Sequence, residues 1–250
     1  MNPPEPPELP EDVCPYPRVF VTVSGAHLYG FPSRDSDLDL RGAHLLPPEE
    51  VVGLVQGPET LTWMSPDRQT DLVTHDLLKF CRLLRKRNGY VLEQLLSPLV
   101  RETTPVHEEL TALAPSLVTR HHAHHYLGFA RTQWRLHERT GELKPLLYTF
   151  RVLLTGIHLM RTGEVLCDLN ELEGGPAYLP ELIGLKRSAE HVAAPAGDFA
   201  PDVAALTARL EEEQAASRLP EEPRDGTALH DLVVRVRLAG GGGPAPRDCA

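Results

Sequence analysis

The chain has 250 residues, long enough to bury a core as one large domain or two small ones, and its 41% hydrophobic and 24% charged content is that of an ordinary globular protein. No run of about 18 apolar residues occurs, which argues against a helical membrane span. A net charge of −10 counts against broad phosphate-backbone binding of long nucleic acid, although it leaves room for a local basic cleft.

Pro3, Pro4, Pro6, Pro7 and Pro10 crowd the start of the chain, so residues 1–16 read as a disordered lead. The lead has no apolar core of the kind a secretion signal needs, and cytoplasmic residence is the expectation. Arg18–Ser24 (RVFVTVS) alternates β-branched and aromatic residues and predicts a strand. Gly25 breaks it, and AHLYGF predicts a short helix before a turn around Pro32–Asp35. Asp37–Leu46 alternates polar and apolar residues as a second strand, stopped by Pro47 and Pro48. PEEVVGLV predicts a short helix, and ETLTWM and TDLVTH two more strands joined by the turn at Ser65–Arg68. The period then lengthens to about 3.6 residues. HDLLKFCRLLRKR predicts a helix that Asn88–Gly89 ends, and YVLEQLLS another that Pro98 closes.

Helical patterns fill the second half: Pro105–Ala114, Arg120–Thr140, Lys144–Thr162, Leu179–Ala189, Pro201–Arg218 and Gly226–Leu238. The expectation is an α+β protein with a small mixed-sheet α/β domain over residues 17–100, a helical domain over 101–238, and a flexible Gly/Pro tail over 239–250. Cys14, Cys81, Cys167 and Cys249 form no CxxC pair, which argues against a zinc knuckle or a disulfide framework. The His121–His125 run has no nearby acidic or Cys ligand, and reads as a helix start rather than a metal site. Trp63 and Trp134 read as core or interface residues.

The chemistry concentrates in SGAHLYGFPSRDSDLDLRG, Ser24–Gly42. Residues i and i+2 of a strand share a face, so Asp37 and Asp39 stand side by side and need a neutralising cation. Mg²⁺ or Mn²⁺ suits a few carboxylates plus phosphate oxygens. Gly25, opening a helix, lets the backbone approach a phosphate.

This stretch resembles the nucleotidyltransferase motif of the DNA polymerase β-like superfamily. It is most similar to predicted bacterial nucleotidyltransferases of the RNA repair pathway DNA polymerase β family. Gly25, Ala26 and Gly30 match the pattern Gly-Ser-x-x-x-Gly, and Ser36, Asp37, Asp39, Arg41 and Gly42 match Ser-Asp-x-Asp-x-Arg-Gly. The resemblance extends over roughly residues 18–190. It implies a third carboxylate, Asp71, completing a catalytic and metal-binding set with Asp37 and Asp39. It also implies nucleotide contacts from Gly25, Ala26, Ser36, Lys79, Lys144 and Arg151. Glu93 resembles an acidic position of the family. Lys79 belongs to a basic run with Arg82, Arg85, Lys86 and Arg87, while Lys144, Tyr148 and Arg151 share one helical face.

Ala26 stands where the family has Ser, so one hydroxyl contact to the nucleotide is absent and weaker affinity is expected. The implied reaction moves a nucleoside monophosphate from a nucleoside triphosphate to an acceptor hydroxyl, with an RNA end, a small molecule and a protein hydroxyl all open as the acceptor. A non-catalytic nucleotide-binding or antitoxin-like regulator is the competing reading.

Overall fold

The computed structural model describes residues 13–240, so most of the expected lead and tail lie outside the described residues. The end of the expected lead differs from the sequence reading: Cys14 is buried, the Tyr16 ring stacks on His44 at 5.5 Å, and the Tyr16 hydroxyl donates to Glu50 Oε2. An aromatic residue with a partner for its ring and its hydroxyl offsets the entropy that the surrounding prolines leave to be lost.

The strands are β1 (Arg18–Val23), β2 (Leu38–His44), β3 (Thr60–Met64), β4 (Thr70–Asp76) and β5 (Val100–Glu102). They form a mixed sheet in the order β3-β4-β2-β1-β5. β1 is antiparallel to β2 and β5, and β3 to β4, whereas β2 and β4 are parallel. Two four-residue helices, α1 (Gly25–Leu28) and α2 (Glu49–Val52), interrupt the strands. From β2 the chain passes through α2 to the edge strand β3, then turns back as β4 between β3 and β2. That path makes β4 parallel to β2 and sets Asp39 opposite Asp71.

One face of the sheet buries Val21, Val23, Leu38, Leu40 and Leu72 against Trp63 and Leu99. The other receives the helices through Phe20 and Ala43. They are α3 (Leu77–Arg85), α4 (Gly89–Leu95), α5 (Pro105–Leu117), α6 (Ala123–Thr140), α7 (Leu143–Thr162), α8 (Leu179–Lys186), α9 (Ala200–Ala216) and α10 (Gly226–Gly240). The result is an α+β architecture in which α7, buried along nearly its whole length, is the central helix. Gly141 and Gly163, both at positive φ, cap α6 and α7. Asp76 caps α3 by accepting from the Leu78 N–H, and also pairs with Arg237 at 2.8 Å, which ties α10 to the end of β4.

Two local readings change. Asn88 does not end α3 but begins α4, its side chain accepting from the Tyr90 N–H at 3.0 Å, while the left-handed residue of the turn is Arg87. Gly89 serves close packing instead: a Cβ there would lie 2.8 Å from His125 and 2.9 Å from Tyr126. β5 was not anticipated, since three residues after Pro98 carry no readable period.

Candidate active site

A cavity of about 480 Å³ opens between the site face of the sheet and helices α4, α6 and α7. Asp37, Asp39, Arg41, Glu93, Lys144 and Arg151 give it charge, and Tyr90, His125, Phe129 and Tyr148 give it an aromatic wall. Asp39 and Asp71 occupy paired positions of two parallel strands, so their side chains leave the sheet together. Burial is the main influence on the Asp39 carboxyl and raises it to about 6; Arg41 opposes this, while Asp71 and Asp37 add to it.

Arg41 follows Asp39 on the same face and spans the two acids. Its Nη2 donates to Asp39 Oδ1 at 2.6 Å and its Nη1 to Asp71 Oδ1 at 2.6 Å. Nη2 also reaches Asp71 Oδ2 at 3.3 Å, Nη1 reaches the Leu40 carbonyl, and Nε donates to the Tyr90 hydroxyl at 3.0 Å. All five guanidinium N–H groups therefore have acceptors.

Gly25 sits behind Asp39 at φ +61°, where an added Cβ would lie 1.8 Å from Asp39 Oδ2. This glycine leaves the carboxylate open from the cleft side. Gly25→Ala is expected to meet that clash on top of the roughly 1–2 kcal/mol cost of a left-handed non-glycine residue. The chain should stay folded by circular dichroism while any nucleotidyl transfer expected of the family is lost; transfer at the wild-type level would contradict this placement.

Whether a divalent cation suits these residues can be judged from the donors. Asp37 and Asp39 both line the cavity and offer hard carboxylate oxygens, while the Arg41 guanidinium holds the place between Asp39 and Asp71 that a cation would have to take over. That chemistry suits Mg²⁺ or Mn²⁺ sharing carboxylates with substrate phosphates. Among the described residues, however, no three His, Cys, Asp or Glu side chains already converge as a metal cage. Asp71 is engaged by Arg41 and does not line the cavity.

The other expected residues divide. Gly25, Lys144 and Arg151 line the cavity. Ala26 is buried, and Ser36 lies beside the cavity among the partners of Glu190. Lys79 is outside the cavity and donates to Thr60 Oγ1. Of its basic neighbours, Arg82 lies 3.7 Å from Glu59, and Arg87 pairs with Glu222.

Arg151 is not a free phosphate hand. It pairs with Glu93 at 2.7 Å with both side chains 2% exposed, and its guanidinium lies 3.8 Å from the centre of the Tyr29 ring. Tyr29 in turn donates to Glu93 Oε2 at 3.1 Å. This gives Glu93 a role the sequence left blank: it joins α4, α7 and the segment after α1 behind the cavity. The aromatic wall was also missed, apart from Tyr148. Its signal was the i, i+4 pair His125 and Phe129 on α6, whose rings stack at 6.5 Å.

The chain matches the RNA repair pathway DNA polymerase beta family over residues 12–235. It belongs to that family. An uncharacterized protein of Methanocaldococcus jannaschii, MJ0002, is 31% identical over 169 residues, covering 66% of this chain and 69% of its own. An uncharacterized protein of Bacillus subtilis, YcgL, is 26% identical over 236 residues, covering 87% of this chain and 88% of its own. Membership places the chain in the polymerase β group, whose theme is nucleotidyl transfer. Among the described residues no helix is long and apolar enough to cross a membrane.

Proposed function

We propose that this protein is a metal-dependent nucleotidyltransferase that moves a nucleoside monophosphate from a nucleoside triphosphate to an acceptor hydroxyl, with an RNA end as the acceptor. The observation that carries the reading is the Asp39–Asp71 pair, set by strand register beside a cavity that also holds Asp37, Lys144 and an aromatic wall. The acceptor oxygen attacks the α-phosphorus, the bond to the bridging oxygen breaks, and pyrophosphate leaves. Asp71 takes the acceptor proton once the acceptor and the cation draw its carboxylate away from Arg41, which holds both of its oxygens outside the cavity lining. Asp37 and Asp39, with Asp71, would hold Mg²⁺ or Mn²⁺, which when bound offsets the negative charge of the phosphates. Tyr90, His125, Phe129 and Tyr148 offer faces on which bases stack, a sequence-tolerant contact suited to a nucleotide and an RNA end together.

Ala26 and the complete engagement of Arg41 favour one rival, a nucleotide binder without turnover. Incubating the protein with each nucleoside triphosphate, Mg²⁺, and RNA or small-molecule acceptors separates the two. Transfer predicts pyrophosphate and a labelled acceptor. Binding without product would leave the regulator, and release of inorganic phosphate would point to a hydrolase.

A further inference from the structure

Beside the acidic pair lies a second cluster made almost wholly of donors. The Ser33 and Ser36 hydroxyls each donate to Glu190 Oε2 at 2.9 Å. Lys186 Nζ donates to the same oxygen at 2.7 Å, and Lys144 Nζ pairs with Oε1. Lys186 is fully buried, and its Nζ also donates to Ser33 Oγ at 3.2 Å and to the Ala189 carbonyl at 3.3 Å. Two ammonium groups and two hydroxyls converging on one carboxylate make an anion cradle. Glu190 is the one carboxylate that the two ammonium groups contact; Asp35, exposed at the edge of the cradle, accepts from the Glu190 backbone N–H at 3.4 Å and from the Ser33 side chain. The cradle also adjoins the cavity, because Lys144 lines both and Ser36 directly precedes Asp37. Glu190 belongs to the irregular link between α8 and α9, so it can leave without unwinding a helix.

We propose that Ser33, Ser36, Lys144 and Lys186 form a subsite for the outer phosphates of a nucleoside triphosphate, and that the Glu190 carboxylate is its resident stand-in, displaced when the triphosphate binds. The oxyanion chemistry is read from the cluster itself; the triphosphate as its source rests on the nucleotidyltransferase reading. Ser36 and Lys144 then act together, and the hydroxyl missing at Ala26 is made good by Ser33 and Ser36.

The test is calorimetric titration of the full chain with tripolyphosphate, and in parallel with a 5′-phosphorylated oligonucleotide and with adenosine. If Glu190 fills the cradle at least nine-tenths of the time, Glu190→Gln should bind tripolyphosphate about tenfold tighter than wild type. Adenosine affinity should not change, and Lys144→Gln added to Glu190→Gln should abolish the gain. Should Glu190→Gln fail to fold, Glu190→Asp, which keeps the charge but shortens the reach, should give a smaller gain. Tripolyphosphate affinity unchanged or weakened in a folded variant overturns the proposal, as does a gain confined to the oligonucleotide. Tighter tripolyphosphate binding without any pyrophosphate release would retain the subsite and remove the transferase reading. Pyrophosphate release with unchanged tripolyphosphate affinity would do the reverse.

Discussion

Asp39→Asn is expected to lower Mg²⁺-dependent pyrophosphate release on the order of 10³-fold, the scale for losing one charge-stabilising group from an active site. The amide keeps the carboxylate's shape and still offers an oxygen to Arg41 Nη2, so the fold has no reason to suffer. Stability should in fact hold or rise. The carboxyl is pushed up to about 6 chiefly by burial, so above that pH the folded chain carries a charge it disfavours. The linkage sign follows: this group costs stability in full above its folded value of about 6, the cost shrinks as pH falls through that value, and it is gone only below the unfolded value of 3.8. Loss of turnover with an unchanged or higher melting temperature is the combined signature of a functional carboxylate held against its preference. Activity near the wild-type level would show that the charge at Asp39 is dispensable.

Glu93→Ala is expected to act on stability rather than chemistry. It would leave the Arg151 guanidinium buried between Tyr29 and α7 with no carboxylate partner. Breaking one side of a buried ion pair costs roughly 3–5 kcal/mol. For a chain of this size that corresponds to a fall of about 10 °C in melting temperature, readable by calorimetry. The double variant Glu93→Leu with Arg151→Met should recover most of the loss, because a packed apolar pair carries no desolvation penalty. If Glu93→Ala melts with wild type, Glu93 and Arg151 do not hold α4 to α7.

Acid should reveal Glu190 in a different way. Burial pushes its carboxyl up, but hydrogen bonds from Lys144 and Lys186, their charge, and Ser33 outweigh this and bring it from 4.5 down to about 2. A folded value below the unfolded one gives stability that is present above the unfolded value and is lost as pH falls toward the folded one. Denaturant unfolding of wild type and Glu190→Gln should therefore differ above about pH 5 and converge toward pH 2. A gap that is independent of pH would mean that the side chain contributes by shape alone.

What the sequence could reveal follows from the range of the forces involved. Period and punctuation are local, so the strands around Ser24 and Asp39 and the six helices after Pro105 were readable to within a few residues. Asp37 and Asp39 both line the cavity as their spacing suggested, although β2 begins only at Leu38 and leaves Asp37 just ahead of the strand, and Asp71 entered through resemblance to a family motif. The exact partner of Asp39 did not follow, because β4 reaches its place only by way of the edge strand β3. Arg151 was read as a hand for phosphates because a helical face of Lys144, Tyr148 and Arg151 looks the same whether it meets solvent or the interior. Its partner Glu93 lies 58 residues away, beyond any local pattern. Glu190 lay in an irregular link with no period at all, and the cradle around it became visible only in three dimensions.

The most direct test of the account is a crystal grown with Mn²⁺ and a non-hydrolysable nucleoside triphosphate analogue, with anomalous scattering used to locate the manganese. The account predicts manganese at Asp37 and Asp39 with Asp71 released from Arg41 to join them, the triphosphate directed toward Lys144, and the base against Tyr90, Phe129 or Tyr148. Nucleotide bound elsewhere, or no manganese with Arg41 still spanning Asp39 and Asp71, would contradict it.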